Sequence, residues 1–246
     1  MSGAGRGKYR ARYATTAEDV RRAQALRFRR FRDPRADGFD GDAFDARAVH
    51  VLVEDDGGRL VCCFRLIGFA NGSEIAASYS AQFYGLGGLA RFPGPMLEMG
   101  RFCVESETAD PAILRVAWGA LGDFVTVNGI ELVFGCSSFA GTQADAYADA
   151  FALLGRRHLA PRRWLPRVKA PSVFRFAGAL RMRTPDLKAA MRAMPPLLRT
   201  YLAMGGWVSD HAVVDRDLGT LHVFTGLEIK AVPAARLRAL QATSLS

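Results

Sequence analysis

The segment 96–105 holds the residue types and spacing best suited to chemistry. Its sequence, Met-Leu-Glu-Met-Gly-Arg-Phe-Cys-Val-Glu, predicts an apolar strand that still carries Glu98 and Arg101 three positions apart. A charge in such a strand is costly unless it is paired or used. Side chains alternate between faces along a strand, so these two diverge unless a bulge lies between them, and Gly100 tolerates one. A bulge would expose backbone N–H donors that can hold an oxyanion.

Two interpretations of this strand stay open. In the first, Glu98 is a general base, directly or through a water, and backbone N–H groups near Gly100 to Cys103 contact the developing oxyanion. In the second, Glu98 is a structural partner of Arg101 or Arg27, or the segment is a strand end with a surface ion pair. The candidate catalytic residues of the strand are Glu98, Gly100, Arg101, Phe102 and Cys103.

A helix predicted from Thr16 to about Arg32 positions the next candidates. Thr16 is a suitable N-cap before two acidic residues, and the pair Asp33-Pro34 ends the helix. Helical spacing puts Arg27 on the same apolar, inward-facing side as Phe31. An arginine turned inward needs a carboxylate or an anionic ligand, so we expect Arg27 to have one.

The remaining segments alternate between strands and helices. Strands are predicted at 48–54 and 59–69, joined by a turn at 55–58, and at 97–104, 131–136, 162–168, 207–214 and 221–229. Helices are predicted at 110–128, 143–154, 186–194 and 196–203, with Gly155 ending the second. This order predicts an α/β fold with a mixed central sheet flanked by helices. We expect a basic tail at 1–15, a core at 16–180 and a C-terminal extension of helices and strands at 181–246.

The composition argues against several classes of protein. No apolar run approaches the roughly 20 residues that span a bilayer, and the basic first 12 residues lack the apolar part of a secretory signal. The four cysteines form no CxxC pair and predict buried, reduced thiols of a cytosolic protein. The four histidines have no ligand spacing, so no metal site is expected. Glycine motifs for dinucleotides or ATP are missing.

The net charge of +9 is unevenly distributed along the chain. Residues 1–35 hold 11 basic and 3 acidic residues, and residues 156–199 hold 12 basic and 1 acidic. Between them, residues 36–155 hold 6 basic and 16 acidic residues. Two basic segments around an acidic centre indicate an anionic partner, for which nucleic acid, an anionic membrane and an acidic carrier protein all qualify. Simple solubilising charge is the alternative.

Four short motifs between residues 27 and 102 occur in a familiar order. They are Arg27 with Phe31, the stretch 42–45 (Asp-Ala-Phe-Asp), the stretch 64–66 (Phe-Arg-Leu), and the stretch 98–102 (Glu-Met-Gly-Arg-Phe). This series resembles the acyl-homoserine-lactone synthases, acyltransferases of the GNAT-like fold that use acyl carrier protein thioesters. The tryptophan that those synthases usually carry after the first helix is missing from 33–37.

The second half of the chain contains four further motifs, at 134–142 (Phe-Gly-Cys-Ser-Ser-Phe-Ala-Gly-Thr), 195–202, 206–208 and 215–220. They resemble a sister family, the bacterial L-ornithine Nα-acyltransferases of ornithine lipid synthesis, and in total the resemblance covers about residues 10–235. It implies a GNAT-like fold and transfer of a 3-hydroxyacyl group from acyl carrier protein to the α-amine of L-ornithine. The product would be lyso-ornithine lipid.

The resemblance also implies the donor, the partners and the location. The donor is the 4′-phosphopantetheine thioester of acyl carrier protein, with no further cofactor. The coenzyme A pyrophosphate signature is missing from 105–110, where acidic residues would repel its phosphates. The expected partners are acyl carrier protein, L-ornithine and the inner membrane surface, with no nucleic acid. The expected location is cytoplasmic, peripheral at the inner face of the membrane.

Under this resemblance the charged residues are candidates for substrate binding. Asp42 and Asp45 would hold the ornithine side-chain ammonium or order Arg27. Arg65 or Arg101 would bind the ornithine carboxylate as a bidentate fork. The alternative for each is a stabilising ion-pair network beneath the active site.

Two hydroxyl residues and an aromatic residue complete the candidates. Ser137 and Ser138 would hydrogen-bond the substrate or cap the turn after their strand. Phe31 would line an apolar acyl channel, as Phe102 would, or belong to the ordinary core. The basic segments would dock the acidic carrier protein, or helices within 186–203 would lie on the membrane.

Three rival functions stay open. An acyl-homoserine-lactone-type synthase would share the donor but use S-adenosylmethionine. A conventional coenzyme A-dependent GNAT enzyme would accept acyl-coenzyme A as well as acyl carrier protein. A non-catalytic basic module that binds membrane or nucleic acid would show salt-dependent binding without acyl transfer.

Overall fold

The computed structural model describes residues 8–33, 35–105 and 110–233. They form two compact units: the first is built from residues up to Ile67 and from Met99–Gly129, the second from Gly68–Glu98 and Ile130–Pro233. The boundary between the units falls within the third and the fifth strand. Each unit therefore combines segments that are far apart in sequence. The domain limits expected near residues 15 and 180 stay a prediction.

The described residues contain ten strands and six α-helices. The strands are β1 (Tyr9–Tyr13), β2 (Val49–Asp55), β3 (Leu60–Phe69), β4 (Tyr84–Gly85), β5 (Met96–Val104), β6 (Leu132–Ala140), β7 (Arg167–Val168), β8 (Val173–Phe174), β9 (Trp207–Asp215) and β10 (Thr220–Glu228). The helices are α1 (Ala17–Phe31), α2 (Pro111–Val127), α3 (Ala148–Arg157), α4 (Phe176–Ala179), α5 (Leu187–Ala193) and α6 (Pro196–Ala203). None of these helices is both long and apolar enough to cross a membrane.

The first unit is organised around α1 and four neighbouring strands in the order β1-β2-β3-β5. The Thr16 side chain caps α1 by accepting a hydrogen bond from the Asp19 backbone N–H at 3.1 Å. Leu26 of this helix packs into a buried cluster with Leu52 and Cys63. These local signals confirm the predicted helix and its inward-facing side.

Strand β1 corrects the sequence analysis, which placed its residues in a basic tail. Tyr9–Tyr13 pairs antiparallel with β2, from Tyr9 opposite Asp55 to Tyr13 opposite Val51. Alternating arginine and tyrosine residues gave no apolar run, so only the pairing with β2 defines this strand. Residues 1–7 lie outside the described residues.

The second unit has a mixed sheet in the order β5-β6-β10-β9-β8. The first three residues of β5, Met96 to Glu98, pair parallel with Leu132 to Phe134 of β6. Strand β10 pairs antiparallel with both β6 and β9. Helices α3, α5 and α6 contribute buried side chains to a core on this sheet, among them Phe151, Ala190 and Leu198. The expected α/β class with a mixed sheet and flanking helices is thereby confirmed.

The predicted bounds of three elements in the second unit are wrong. Strand β6 continues to Ala140 rather than 136, because β10 pairs along its whole length. Helix α3 begins later, after a 3₁₀ turn, and passes through Gly155 to Arg157. A Cβ on Gly155 would lie 3.3 Å from the Cα of Ala177, so this glycine permits close helix packing rather than ending the helix. The strand expected at 162–168 is only two residues long.

Candidate functional site

The first unit contains a compact cluster of opposite charges, which we name the arginine–aspartate cluster. Its three arginines come from α1, β3 and β5, and its three aspartates come from the loop between α1 and β2. The members are Arg27, Asp40, Asp42, Asp45, Arg65 and Arg101. Five of the six were named from the sequence, and their side chains do meet.

Arg27 is fully buried, as is Arg65, each with 1% of its surface exposed. The Arg27 guanidinium donates to both carboxylate oxygens of Asp45, at 2.9 and 2.6 Å. It also donates from two nitrogens to the backbone oxygen of Asp40. Burial alone would lower the pKa of Arg27, but the hydrogen bonds and charge of Asp45 raise it. The inward arginine thus has the carboxylate that the helix pattern predicted.

Arg65 links two aspartates of the loop. Its guanidinium forms a fork on Asp42, with N–O distances of 2.5 and 2.9 Å, and donates to Asp45 at 2.8 Å. The guanidinium carbon also lies 5.5 Å from the centre of the Phe44 ring. A substrate carboxylate would have to displace Asp42 to occupy this fork. The geometry therefore gives Arg65 the ion-pair role, and its substrate role stays a prediction.

Arg101 lies at a backbone irregularity within β5. Its φ of +53° is left-handed, which is unique among the non-glycine residues in the described part of the chain. The irregularity expected at Gly100 is therefore one residue later. The Arg101 side chain lies 3.0 Å from Asp40 and 3.1 Å from Asp42, N to O. These two ion pairs offset a backbone strain of about 1–2 kcal/mol.

Asp42 and Asp45, two carboxylates of the cluster, are held in their charged form. Burial raises the pKa of Asp42 and of Asp45, but the hydrogen bonds and charges of their arginine partners lower both pKa values below the ordinary carboxyl range. Asp42 keeps 23% of its side chain exposed, against 8% for Asp45. Asp42 is therefore the more accessible acid of this pair, and its substrate role stays a prediction.

Three residues around the cluster were missed by the sequence analysis. Asp40 contacts Arg27, Arg32 and Arg101 although it lies outside the recognised pair of aspartates. Gln24 donates to Asp45 at 2.9 Å. His50 Nε2 lies 3.1 Å from the Asp45 backbone oxygen, and burial lowers the pKa of His50. Gln24 lies three residues before Arg27, and this helical spacing would have placed it beside Arg27 on the same face.

Glu98 lies in the second unit and binds a loop. Its carboxylate accepts hydrogen bonds from the backbone N–H of Tyr79 at 2.8 Å and of Ser80 at 2.7 Å, and from the Ser80 hydroxyl at 2.6 Å. Only 2% of Glu98 is exposed. These contacts give it a positioning role for residues 79–80. A direct role as base, and a pairing with Arg101 or Arg27, stay predictions.

The other candidates on β5, with Phe31, contribute to packing. The Phe102 ring stacks on Phe64 with a centroid distance of 5.4 Å. Cys103 is buried beside Cys63, with 3.5 Å between the sulfurs, in the cluster against which Phe31 packs. The hydrogen bond with Cys103, with burial, raises the pKa of Cys63, so that thiol is neutral. The channel role of Phe31 and Phe102 stays a prediction.

The two serines lie inside β6 rather than at its end, so neither caps the following turn. Ser137 is buried and accepts a hydrogen bond from the Thr225 hydroxyl of β10 at 2.9 Å. Ser138 is exposed and lies opposite His222 in the register of β6 and β10. Of the two, Ser138 is the residue that could meet a substrate.

Two buried histidines surround Tyr84 in the second unit, and the sequence gave no signal for them. The Tyr84 hydroxyl lies 2.8 Å from the backbone oxygen of His222 and 3.1 Å from its Nδ1. Burial lowers the pKa of His222 to about 4, so it is neutral near pH 7. His211 Nδ1 lies 2.6 Å from Asp210. Within the described residues, no three His, Cys, Asp or Glu side chains come together as metal ligands would.

Comparisons with known proteins agree on one class. A family model for the acetyltransferase (GNAT) domain matches residues 25–119. An L-ornithine N(alpha)-acyltransferase of Rhodobacter capsulatus is 32% identical over 239 residues, covering 91% of this chain and 91% of that protein. A protein of the same description from Brucella abortus is 28% identical and covers 92% of this chain and 86% of its own length.

A solved structure supports the fold. FeeM, an N-acyl amino acid synthase from uncultured soil microbes, gives a TM-score of 0.51 at 10% identity, covering 90% of this chain and 92% of FeeM. Together with the family model for residues 25–119, this likeness confirms the GNAT-like fold expected from the sequence.

Proposed function

Because the chain belongs to the L-ornithine Nα-acyltransferase family and is therefore an acyltransferase, we propose that it acylates the α-amine of L-ornithine. The observation that carries this proposal is 32% identity across 91% of both chains with the Rhodobacter capsulatus enzyme. The proposed donor is a 3-hydroxyacyl thioester of acyl carrier protein, and the product is lyso-ornithine lipid, the first intermediate of ornithine lipid synthesis.

In the proposed reaction the amine nitrogen forms a bond to the thioester carbon, and the carbon–sulfur bond breaks. The amine loses a proton, and the carrier thiol leaves with one. The amine must be neutral to attack, and the carbonyl oxygen must be stabilised as it gains charge. The protein has to supply a proton acceptor and hydrogen-bond donors for that oxygen.

We assign the oxyanion contacts to backbone N–H groups between Gly100 and Cys103. The left-handed φ of Arg101 supports this assignment, because it interrupts the regular alternation of β5 at this point. Ion pairs from Arg101 to Asp40 and Asp42 hold the irregularity in place. The cluster thus acts on the reaction by preorganising the strand.

The acceptor ammonium is assigned to Asp42. Asp45 is nearly enclosed and already bound by Arg27, Arg65 and Gln24. Asp42 is the more exposed carboxylate and keeps its charge at neutral pH.

The choice of donor rests on the resemblance and on charge. Glu105 is paired with Arg29 at 3.1 Å, which weakens the expected repulsion of coenzyme A phosphates at that residue. Residues 106–109, which carry the rest of that argument, lie outside the described residues. Acyl carrier protein as donor and a peripheral membrane location therefore stand as proposals. Acyl-coenzyme A has to be tested beside the carrier thioester.

A mass-spectrometric product assay tests the function. Purified protein is mixed with 3-hydroxyacyl carrier protein and L-ornithine, with parallel reactions that contain lysine, S-adenosylmethionine or acyl-coenzyme A. We expect N-acyl-ornithine from the carrier thioester. A lactone product with S-adenosylmethionine would support the synthase alternative, and no product from folded protein with intact thioester would refute acyl transfer.

A pH–rate profile distinguishes a positioning role of Glu98 from a role as general base. Glu98→Gln should lower kcat at least tenfold, because the amide NH₂ cannot accept from the backbone N–H groups of residues 79–80. A positioning role leaves the acid limb of the profile in place, whereas a base role removes it. Ser80→Ala is the matched control, since it removes one donor and keeps the carboxylate.

A further inference from the structure

One face of the second unit exposes large apolar side chains among arginines and a lysine. It is formed by the end of α3, the turn before α5 and the outer side of α5, and we name it the α5 face. The residues that carry the argument are Arg156, Arg157, Arg181, Met182, Leu187 and Met191. Lys188 and Arg192 flank the last two on the helix.

The orientation of α5 is set by its inner side. Ala190 and the following Met194 are buried in the core of the second unit. Leu187 and Met191, four residues apart and therefore neighbours along the helix surface, are 48% and 45% exposed. Met182, in the preceding turn, is 80% exposed. Large apolar side chains that project from an anchored element mark an interaction surface.

The arginines of this face form a shallow depression of about 610 Å³, lined by Arg156, Arg157, Arg181, Thr184, Pro185 and Leu187. Within the described part of the chain, these three arginines make no ion pair. Their neighbour Arg183 differs, since it binds Asp149 at 2.9 Å. The acid of the turn, Asp186, is occupied as the N-cap of α5. The face therefore presents uncompensated positive charge.

We propose that the α5 face docks on an anionic lipid bilayer. Met182, Leu187 and Met191 would enter the interfacial region, and the arginines would meet lipid phosphates. Charge complementarity is the argument for an anionic partner. The protruding Met182 favours a fluid apolar partner, because a lipid surface needs no matching pocket for a flexible side chain. The inference rests on the proposed function in that an acylated product belongs in a membrane.

Vesicle co-sedimentation with the full chain tests this docking. We expect retention on phosphatidylcholine vesicles that contain phosphatidylglycerol, little retention on pure phosphatidylcholine, and a loss as salt increases. Arg156→Gln and Arg181→Gln should each weaken binding about fivefold. Met182→Ser with Met191→Ser should lower the retention that remains at high salt. Arg216→Gln, in the turn between β9 and β10, makes the same charge change off this face and should bind normally.

Several outcomes would overturn the proposal. Unchanged retention of the two arginine variants, or equal binding to neutral vesicles, would remove the α5 face as the docking site. Normal vesicle binding with a raised KM for carrier protein in these variants would mean that the face binds an acidic protein instead. The vesicle assay contains no substrate, so a protein that binds vesicles but forms no N-acyl-ornithine contradicts only the proposed function.

Discussion

Two charge networks join α1 to the sheet of the first unit, and they differ mainly in the burial of their arginines. In the outer network, Arg12 lies 2.6 Å from Asp19 and 2.9 Å from Glu54, and Arg22 lies 2.7 Å from Glu54. The arginine–aspartate cluster has similar distances. Arg12 has 29% of its side chain exposed, whereas Arg27 in the cluster has 1%.

This difference shows that geometry alone does not rank ion pairs. An exposed pair contributes about 0–1 kcal/mol, because water solvates the separated charges well. Removing one partner of a buried pair costs about 3–5 kcal/mol, because the remaining charge stays in a poor solvent. The cluster should therefore be essential for folding, and the outer network should be replaceable. The following experiments test that contrast.

The largest effect is expected from Arg27→Ala. It leaves Asp45 without its main partner and opens a cavity beside α1, so the free energy of unfolding should fall by about 3–5 kcal/mol. Urea unfolding followed by circular dichroism measures this. Arg12→Ala is the matched control and should cost about 1 kcal/mol. Equal losses in the two variants would mean that burial does not separate the networks.

Asp42→Asn should change activity more than stability. Asp42 is partly exposed, the amide keeps one oxygen for Arg65, and Asp45 still pairs with Arg65, so we expect a smaller loss of stability than in Arg27→Ala. If Asp42 binds the ornithine ammonium, the KM for ornithine should rise about tenfold, because a charge-assisted contact contributes about 1.4 kcal/mol or more. A large drop in melting temperature with an unchanged KM would give Asp42 a purely structural role.

Acid should weaken both networks, and salt should distinguish them. The pKa values of Asp45, Asp19 and Glu54 are lower in the folded protein than the ordinary carboxyl values. Their stabilisation is thus present above about pH 4 and is lost as pH falls below it. Unfolding measured from pH 6 to pH 3 should show a shallower decline in Asp45→Asn. Part of the loss of stability in acid comes from Glu54 and part from Asp45. High salt should reduce the Glu54 part more than the Asp45 part.

The smallest effect is expected from Glu54→Gln in the outer network. The glutamine keeps a hydrogen-bond acceptor for Arg12 or Arg22 but loses the negative charge. The free energy of unfolding should therefore fall by about 0.5 kcal/mol at low salt. It should vanish at 1 M salt, where screening is strong. A loss above about 2 kcal/mol that persists in salt would place Glu54 with the buried group.

Much of the fold followed from local signals. Helix α1 with its Thr16 cap, the turn at 55–58 and the bounds of helix α2 to within one residue were all predicted. Each depends on contacts within four residues, which sequence spacing reports directly. Strand β1 was missed because its only evidence is a partner strand about 40 residues away.

The candidate site was predicted as a set of residues but not as a set of contacts. Helical spacing turned Arg27 inward, and an inward arginine requires a carboxylate. Whether that carboxylate was Asp42, Asp45 or Glu98 depended on how the loop after α1 folds back. Asp40 is one of several aspartates in the loop after α1, so nothing in the sequence distinguished it as a member of the arginine–aspartate cluster.

By itself the sequence determined the α/β class, most helices and strands, and the family. These depend on periodicity, caps and motifs that are read along the chain. Three hydrogen-bonding contacts were decided by tertiary structure alone. Arg65 forms a bidentate contact with Asp42, and Glu98 accepts hydrogen bonds from residues 79–80. Ser137 accepts a hydrogen bond from Thr225, 88 positions away. Hydrogen bonds act over about 3 Å, so a partner is known only when the segments that carry both atoms have been brought together.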